Sequence, residues 1–419
     1  MRASAARSFQ LALRVLVVAA WVGTGLAASS AGGEALRVGT SGDYPPFSSR
    51  AADGHFSGLS IELARRYCQD RGLELELVAF EWPRLLRDLE QDRFDVAISG
   101  ITVGPERSAR AIFTLPIVET GAVVLVRPET WTDVEQLDSQ RIRIGVNAGG
   151  HLERVAAQHF PRATRVSIPD NASVLGALIE GAVQAVVTDS AEAPVWLADQ
   201  PELLVLGPIT RDRKAMLVRR QRPALAADLD RWLLERESDG TLAELRSQYL
   251  GAGPQRRLAT PLDALLAGID ERLSLMATVA IVKRASGVPL EVPEREQLVI
   301  EKAAESVLEA ASQRDVMPPS FLLIQAFFRA QLEAAKQIQR AAVADPGPES
   351  PRDLPDLDED LRPALLHIGA RIARLVVELP PLDPLAVEAA ARDALRTPLL
   401  PRSSVREIAE AIAVLAPKQ

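Results

Sequence analysis

Arg272, Lys283, Arg295 and Gln339 place three cations and one neutral amide at helix positions that are otherwise apolar. On an ideal helix, eleven steps of about 100° nearly close three turns, so Arg272 and Lys283 fall within about 20° of one azimuth. Ile269, Met276 and Ala280 lie beside them, while Gln339 lines up with Phe321 and runs close to Phe328, Leu332 and Ala335. Cations turned toward a helical core are costly unless an anion pairs with them. The chemistry this suits is the grip of a small polyanion between helices. The plainer alternative is that the cations snorkel past apolar neighbours and Gln339 is a satisfied core amide.

Such a grip needs long helices, and the character of the sequence changes to supply them near Gly251-Ala252-Gly253-Pro254. Beyond that point Ala/Leu/Glu-rich segments with helical period predict helices over 261–285, 293–313, 319–343, 357–379, 384–395 and 403–415. Acidic, Pro-rich stretches such as 345–360 separate them as loops. Before the boundary, short apolar runs predict strands at 36–39, 75–79, 96–99, 123–126, 142–146, 165–168, 185–188 and 215–218. Helical segments, for example 60–71, 82–91, 151–159 and 171–180, alternate with these strands. That alternation predicts α/β architecture with largely parallel sheets, followed by an all-helical domain.

Bulk properties narrow the setting. Arg2 and Arg7 precede an apolar stretch from Leu11 to Leu26 and a run of small residues, which reads as an export signal over 1–31. Arg14 and Gly23 interrupt that stretch, so a permanent membrane anchor is not expected. The expected division is then 32–250, a linker at 251–260, and a helical domain at 261–419. One cysteine, Cys68, cannot form an internal disulfide, and the periplasm of a Gram-negative bacterium is the expected compartment. A formal charge of −8 in 419 residues argues against nucleic acid as a partner. Four scattered histidines offer no metal-ligand spacing, and there is neither a Gly-rich nucleotide loop nor an internal repeat.

In the front region Arg107 would follow a strand at the start of a helix, presenting a bidentate fork to a carboxylate. Asn147-Ala148-Gly149-Gly150 would open another helix, whose free N–H groups suit a second anionic group. The stretch Val38–Phe47, Phe56-Ser57-Gly58, Asp95–Thr102, Pro105-Glu106-Arg107 and Val187-Thr188-Asp189 resemble the periplasmic solute-binding proteins of family 3. That fold closes two α/β lobes over a ligand. Within it, Gly42-Asp43-Tyr44, Glu81-Trp82-Pro83, Asp92-Arg93-Phe94-Asp95, Val146-Asn147-x-Gly149-Gly150, Pro169-Asp170-Asn171 and Thr188-Asp189-x-x-Glu192 resemble the exported cyclohexadienyl dehydratases. The resemblance implies Glu192 as general acid. It implies a substrate-binding set of Asp43, Trp82, Ser99, Thr102, Arg107, Asn147, Gly150, His151 and Asp189. Prephenate, or arogenate, would lose carbon dioxide and its ring hydroxyl together. The hydroxyl leaves only if protonated, and aromatisation drives the rest without a cofactor. His151 and Arg154 stand where this subfamily leads one to expect Thr and Lys.

In the tail, Asp270-Glu271-Arg272-Leu273, Lys283, Pro293-Glu294-Arg295-Glu296 and the run from Phe327 to Gln339 resemble the exported AroQ-class chorismate mutases. By that resemblance Arg272 and Arg371 hold carboxylates of chorismate, helped by Arg295. Lys283 and Gln339 donate to the ether oxygen, and Glu296 meets the ring hydroxyl. Ala335 stands where a small polar residue is expected, and Arg374 lies one turn beyond Arg371. Two joined resemblances imply a bifunctional periplasmic enzyme converting chorismate through prephenate to phenylpyruvate; the exported mutase subclass resembles dimers, which leaves a homodimer through the mutase region open beside a monomer. The competing classes are a receptor for an amino acid or aromatic acid carrying a mutase-like partner, and a purely structural helical tail.

Overall fold

The structure is a computed structural model that describes residues 34–128, 131–251, 260–344 and 354–415. The expected export signal at 1–31, most of the 251–260 linker and much of the 345–360 loop lie outside these residues. The first lobe begins with β1 (Ala35–Thr40), β2 (Asp43–Tyr44), β3 (Ser48–Arg50), β4 (Phe56–Ser57), α1 (Leu59–Arg71) and β5 (Glu74–Ala79). A 3-10 turn at Trp82–Arg84 leads into α2 (Leu85–Glu90), β6 (Val96–Thr102), α3 (Pro105–Ser108), β7 (Ile112–Phe113) and β8 (Val118–Thr120). The second lobe holds β9 (Ala122–Val126), β10 (Arg143–Asn147), α4 (His151–His159), β11 (Thr164–Ile168), α5 (Ala172–Ile179), β12 (Ala185–Asp189), α6 (Ala193–Asp199) and β13 (Leu204–Leu206). The chain then returns to the first lobe through β14 (Asp212–Val218) and finishes this region with α7 (Pro223–Ser238) and α8 (Thr241–Leu250).

All eight expected strands are present, but the sheets are mixed rather than largely parallel. In the first lobe β5, β1 and β6 run parallel, whereas β14 pairs antiparallel with β6, β7 and β8. In the second, β11, β10 and β12 run parallel while β9 and β13 pair antiparallel beside them. The reason is connectivity. The chain crosses between lobes twice, and each crossing delivers a strand from the opposite direction. At the crossing the two segments lock together: Ile209 N donates to Ala122 O at 2.8 Å and Ala122 N donates to Thr210 Oγ1 at 2.8 Å. A side chain on Gly121 would sit 2.2 Å from Thr210 O, so only glycine permits this approach.

The tail comprises α9 (Pro261–Ser274), α10 (Met276–Ala285), α11 (Pro293–Gln313), α12 (Phe321–Ala344), α13 (Arg362–Val376), α14 (Pro384–Ala394) and α15 (Arg402–Leu415). Thr260 caps α9 by accepting from Asp263 N at 3.1 Å, and Pro261 takes the first helical position, where its missing N–H costs nothing. The single helix expected over 261–285 is interrupted at Leu275, which leaves the helical ladder for one residue. A π-helical turn, Leu357–Leu361, precedes α13. Apolar side chains of the first lobe and of the tail belong to one continuous core. Ion pairs stitch the same boundary: Arg213 to Asp270 at 2.6 Å, Arg211 to Asp393 at 2.7 Å and Arg396 to Glu119 at 2.8 Å.

Candidate functional site

The first site is the cleft between the lobes. Tyr44, Trp82, Thr102 and Arg107 line it from one side, Asn147, Gly150, His151 and Asn171 from the other, with Lys214 of β14 between them. Arg107 arrives there because β6 ends at Thr102 and the chain turns at Gly104-Pro105 into α3. Its Nη1 donates to Thr102 O at 3.0 Å, and no carboxylate pairs with it among the described residues. Burial, and then the nearby Arg154 charge, pull its guanidinium down to about 10. A buried cation with donors left over is an invitation to an anion.

The lobes touch around this cleft. Gly149 has φ +72°, and a Cβ there would lie 2.7 Å from Pro83 of the other lobe. Asn171 Nδ2 donates to Asp43 O at 2.9 Å, and Arg154 pairs with Glu106 at 2.8 Å. Asp43 in turn accepts from Trp82 Nε1 at 3.1 Å, orienting the indole. Asn147 donates weakly to Ile168 O at 3.4 Å, so it ties β10 to the loop before α5 as well as lining the cleft.

Glu192 stands one side chain behind the cleft surface and is fully buried. Its Oε1 accepts from Asn171 Nδ2 at 2.7 Å, and its Oε2 lies 2.5 Å from Thr188 Oγ1. Burial pushes the carboxyl up to about 8, overriding the downward pull of those two hydrogen bonds, and Asp189 and Asp43 add to the rise. The Thr188 hydroxyl can accept from the protonated acid and donate to the ionised one, so the site tolerates both states. This is how a carboxylic acid is kept able to deliver a proton near neutral pH.

Two expectations change. Ser99 does not line the cleft: it is fully buried and bonded to Ser41, its Oγ 2.8 Å from Ser41 Oγ. Asp189 is set behind Lys214, whose Nζ lies 2.8 Å from Asp189 Oδ2. Thr120 Oγ1 and Ala191 N also donate to Asp189, at 2.8 and 2.9 Å. Sequence reasoning missed Lys214, Asn171 and Tyr44. Lys214 had only a weak signal, a lysine directly before the apolar run Ala215–Val218 in a strand whose first two residues, Asp212 and Arg213, are charged as well. His151, in place of Thr, sits 3.0 Å from Asp212 Oδ2, although off the axis of a good hydrogen bond. Burial alone would raise the Asp212 carboxyl, but His151 and Lys214 outweigh it and hold it below the ordinary range.

The second site lies among α9, α10, α11 and α12. Arg272 is sunk deep enough that burial lowers its guanidinium pKa, and its Nη1 meets no partner. Gln339 is buried on α12, donates to Met276 Sδ at 3.5 Å, and leaves Oε1 unpaired. Lys283 donates to Leu290 O at 2.7 Å; burial, then Arg295 and Arg362, lower its ammonium pKa. Glu296 accepts from Val292 N at 3.2 Å and from Lys336 Nζ at 3.2 Å. Lys283, Arg295 and Arg362 thus form one cluster of like charge, with Glu296 and Glu291 beside it and Arg362 paired to Asp358 on its outer side.

Arg371 is not part of that cluster. It forms a buried ion pair with Glu271, and its Nη1 donates to Phe113 O of the first lobe at 2.7 Å. Arg374 also faces the front region, reaching Asp230 at 3.3 Å. Arg362, nine residues before Arg371, lies half a helical turn away in azimuth, because nine steps of about 100° end on the opposite face. The expectation chose an arginine of α13 on the wrong face. Arg362 is the cation that repels Lys283, and the azimuth of α13 relative to the first lobe was the missing information.

No group of His, Cys, Asp and Glu suited to a metal ion occurs among the described residues. No helix among them is long and apolar enough to cross a membrane. Comparison with known proteins follows the same division of the chain. The profile of the bacterial extracellular solute-binding proteins, family 3, matches residues 36–252, and that of chorismate mutase type II matches residues 263–340. A cyclohexadienyl dehydratase of Pseudomonas aeruginosa is 33% identical over 221 residues, covering 51% of this chain and 82% of the relative. An ABC transporter arginine-binding protein of Escherichia coli is 29% identical over 243 residues, covering 57% of this chain and 99% of the relative. Among solved structures, an ancestral amino-acid-binding protein described as a precursor of cyclohexadienyl dehydratase aligns with a TM-score of 0.49 and 28% identity, over 52% of this chain and 95% of that one.

Proposed function

The chain belongs to the bacterial extracellular solute-binding proteins of family 3 and carries a chorismate mutase type II domain behind that fold, and from this premise we propose a bifunctional enzyme of phenylalanine biosynthesis acting in the periplasm. The tail rearranges chorismate to prephenate. The front cleft then turns prephenate into phenylpyruvate. The observation that carries the second step is Glu192, fully buried with its carboxyl raised to about 8.

The tail reaction asks for no proton transfer. As the ether bond of chorismate breaks, negative charge grows on its oxygen, and preorganised donors stabilise it. Arg272 and Arg295 hold the carboxylates in the folded conformer, with Arg362 as the further cation. Lys283 and the neutral Gln339 amide point hydrogen bonds at the ether oxygen, and Glu296 takes the ring hydroxyl.

In the front cleft Arg107 takes a carboxylate, and Glu192 gives its proton to the ring hydroxyl, which leaves as water. The bond to the ring carboxylate breaks, carbon dioxide departs and its electron pair completes the aromatic ring. One proton is consumed per turnover, and Glu192 regains it from solvent. The Asn171 bridge between Asp43 and Glu192 spans the lobes, so opening them breaks it and gives substrate access to the acid.

The test is to incubate the mature protein with chorismate alone and follow chorismate, prephenate and phenylpyruvate by chromatography. Phenylpyruvate should appear, and in Glu192→Gln prephenate should accumulate instead. Stalling at prephenate in the unaltered protein would return the front region to ligand binding. Failure to consume chorismate would remove the mutase reading.

A further inference from the structure

A cleft that recognises a 2-amino acid needs an acceptor for the ammonium group as well as a cation for the carboxylate. Asp189, at the end of β12, is the carboxylate that could serve. It does not reach the cleft. Lys214 stands in front of it, 2% exposed, and supplies the cleft lining where Asp189 supplies none.

The arrangement around Lys214 is complete. Its Nζ meets Asp189 Oδ2 at 2.8 Å and Thr102 Oγ1 at 2.8 Å, with Tyr44 OH at 3.4 Å and the Tyr44 ring centroid at 5.6 Å. Asp189 already accepts from Thr120 Oγ1 and Ala191 N, so three donors cover a carboxylate that has about four lone-pair sites. An incoming ammonium would find little acceptor capacity and a fixed positive charge in its place. The remaining charged group in the lining without a carboxylate partner is Arg107, also cationic. The other carboxyl groups nearby are engaged: Asp212 with His151, Asp43 with Trp82, and Glu192 with Asn171 and Thr188.

We propose that Lys214, by occupying Asp189, makes the front cleft selective for 2-oxo acids over the matching 2-amino acids, so that prephenate is used in preference to arogenate. This rests on the dehydratase reading for its substrates, but the selectivity itself concerns only what the cleft binds. A 2-oxo acid brings a carbonyl oxygen, which accepts a hydrogen bond from an ammonium. A 2-amino acid brings a second ammonium and loses solvation to meet repulsion.

The test compares kcat/KM on prephenate and on arogenate in the unaltered chain and in Lys214→Gln, with thermal unfolding to verify that the variant folds. Prephenate should be favoured at least tenfold. In Lys214→Gln, where Asp189 becomes available, that ratio should fall at least tenfold. Equal use of the two substrates, or a ratio unchanged by the substitution, would overturn the proposal. If neither is turned over, the dehydratase reading fails, and calorimetry with phenylpyruvate and L-phenylalanine decides the selectivity by itself. Tighter binding of phenylpyruvate, reversed or levelled in Lys214→Gln, upholds it; equal or tighter binding of phenylalanine, or binding of neither, overturns it.

Discussion

The two sites handle negative charge by opposite means. In the tail, cations crowd one another: Arg272 is buried with an Nη1 that meets no partner, Lys283 lies against Arg295 and Arg362, and the amide of Gln339 is neutral at any ordinary pH. In the cleft between the lobes the proposed acid, Glu192, has its carboxyl raised to about 8. The difference follows from the bonds to be broken. A rearrangement that only shifts electrons within one molecule needs fixed donors, whereas loss of a hydroxyl needs a proton delivered. Burial is the shared tool. It makes the unpaired Arg272 hungry for an anion, and it holds the proton on Glu192.

The largest effect expected from this contrast is in Glu192→Gln. The amide keeps the partners Asn171 and Thr188 but has no proton to give, so prephenate turnover should fall by about 10²–10⁴-fold while chorismate consumption stays unchanged. Chromatography of both reactions checks it, and equal loss of both would show that the substitution had merely unfolded the chain. Next comes the boundary that joins the two regions. Glu271→Ala leaves Arg371 buried without its partner and removes the acceptor of Ser108 Oγ, at 2.8 Å. A loss of about 3–5 kcal/mol is expected, read as a lower denaturant midpoint. A midpoint shift too small to measure would mean that the interface is not held by this pair.

Arg272→Ala should cost the mutase about a hundredfold in rate and leave dehydration of added prephenate untouched. The smallest effect is in pH. As the proposed acid Glu192 would act in its protonated form, which is present below its pKa of about 8 and lost above it, so dehydratase kcat should fall about tenfold per pH unit beyond that point. Mutase rate should stay level between about pH 5 and 8, because Gln339 does not titrate. A steep mutase loss in that range, following one ionisation and unchanged in Gln339→Ala, would erase the contrast between the sites.

Local pattern carried much of this protein. Apolar runs marked the eight principal strands and helical period marked the tail, because both depend on neighbours within a few residues. Arg107, Arg272 and Gln339 were legible as types at particular spacings and Glu192 through the resemblance of its motif, and each lies in or directly behind one of the two sites. The short strands such as Asp43–Tyr44 and Ile112–Phe113 were not legible, since two or three residues carry no period and exist only because a neighbouring strand pairs with them.

By itself the sequence determined which side chains were available and on what kind of element each would stand. Tertiary structure decided which of them meet. Lys214 and Asp189 are brought together only where the chain crosses between lobes, and their pairing turns an acceptor for a cation into a site for an anion. Arg371 and Arg362 share one helix, yet the face that α13 presents to the first lobe sends one to Glu271 and leaves the other beside Lys283. Ser99 was drawn to Ser41 by the pairing of β1 with β6. The physical reason is common to all three. A charged or polar side chain is satisfied by whatever the packing of distant elements puts within hydrogen-bond reach, and that distance is not encoded in any local spacing.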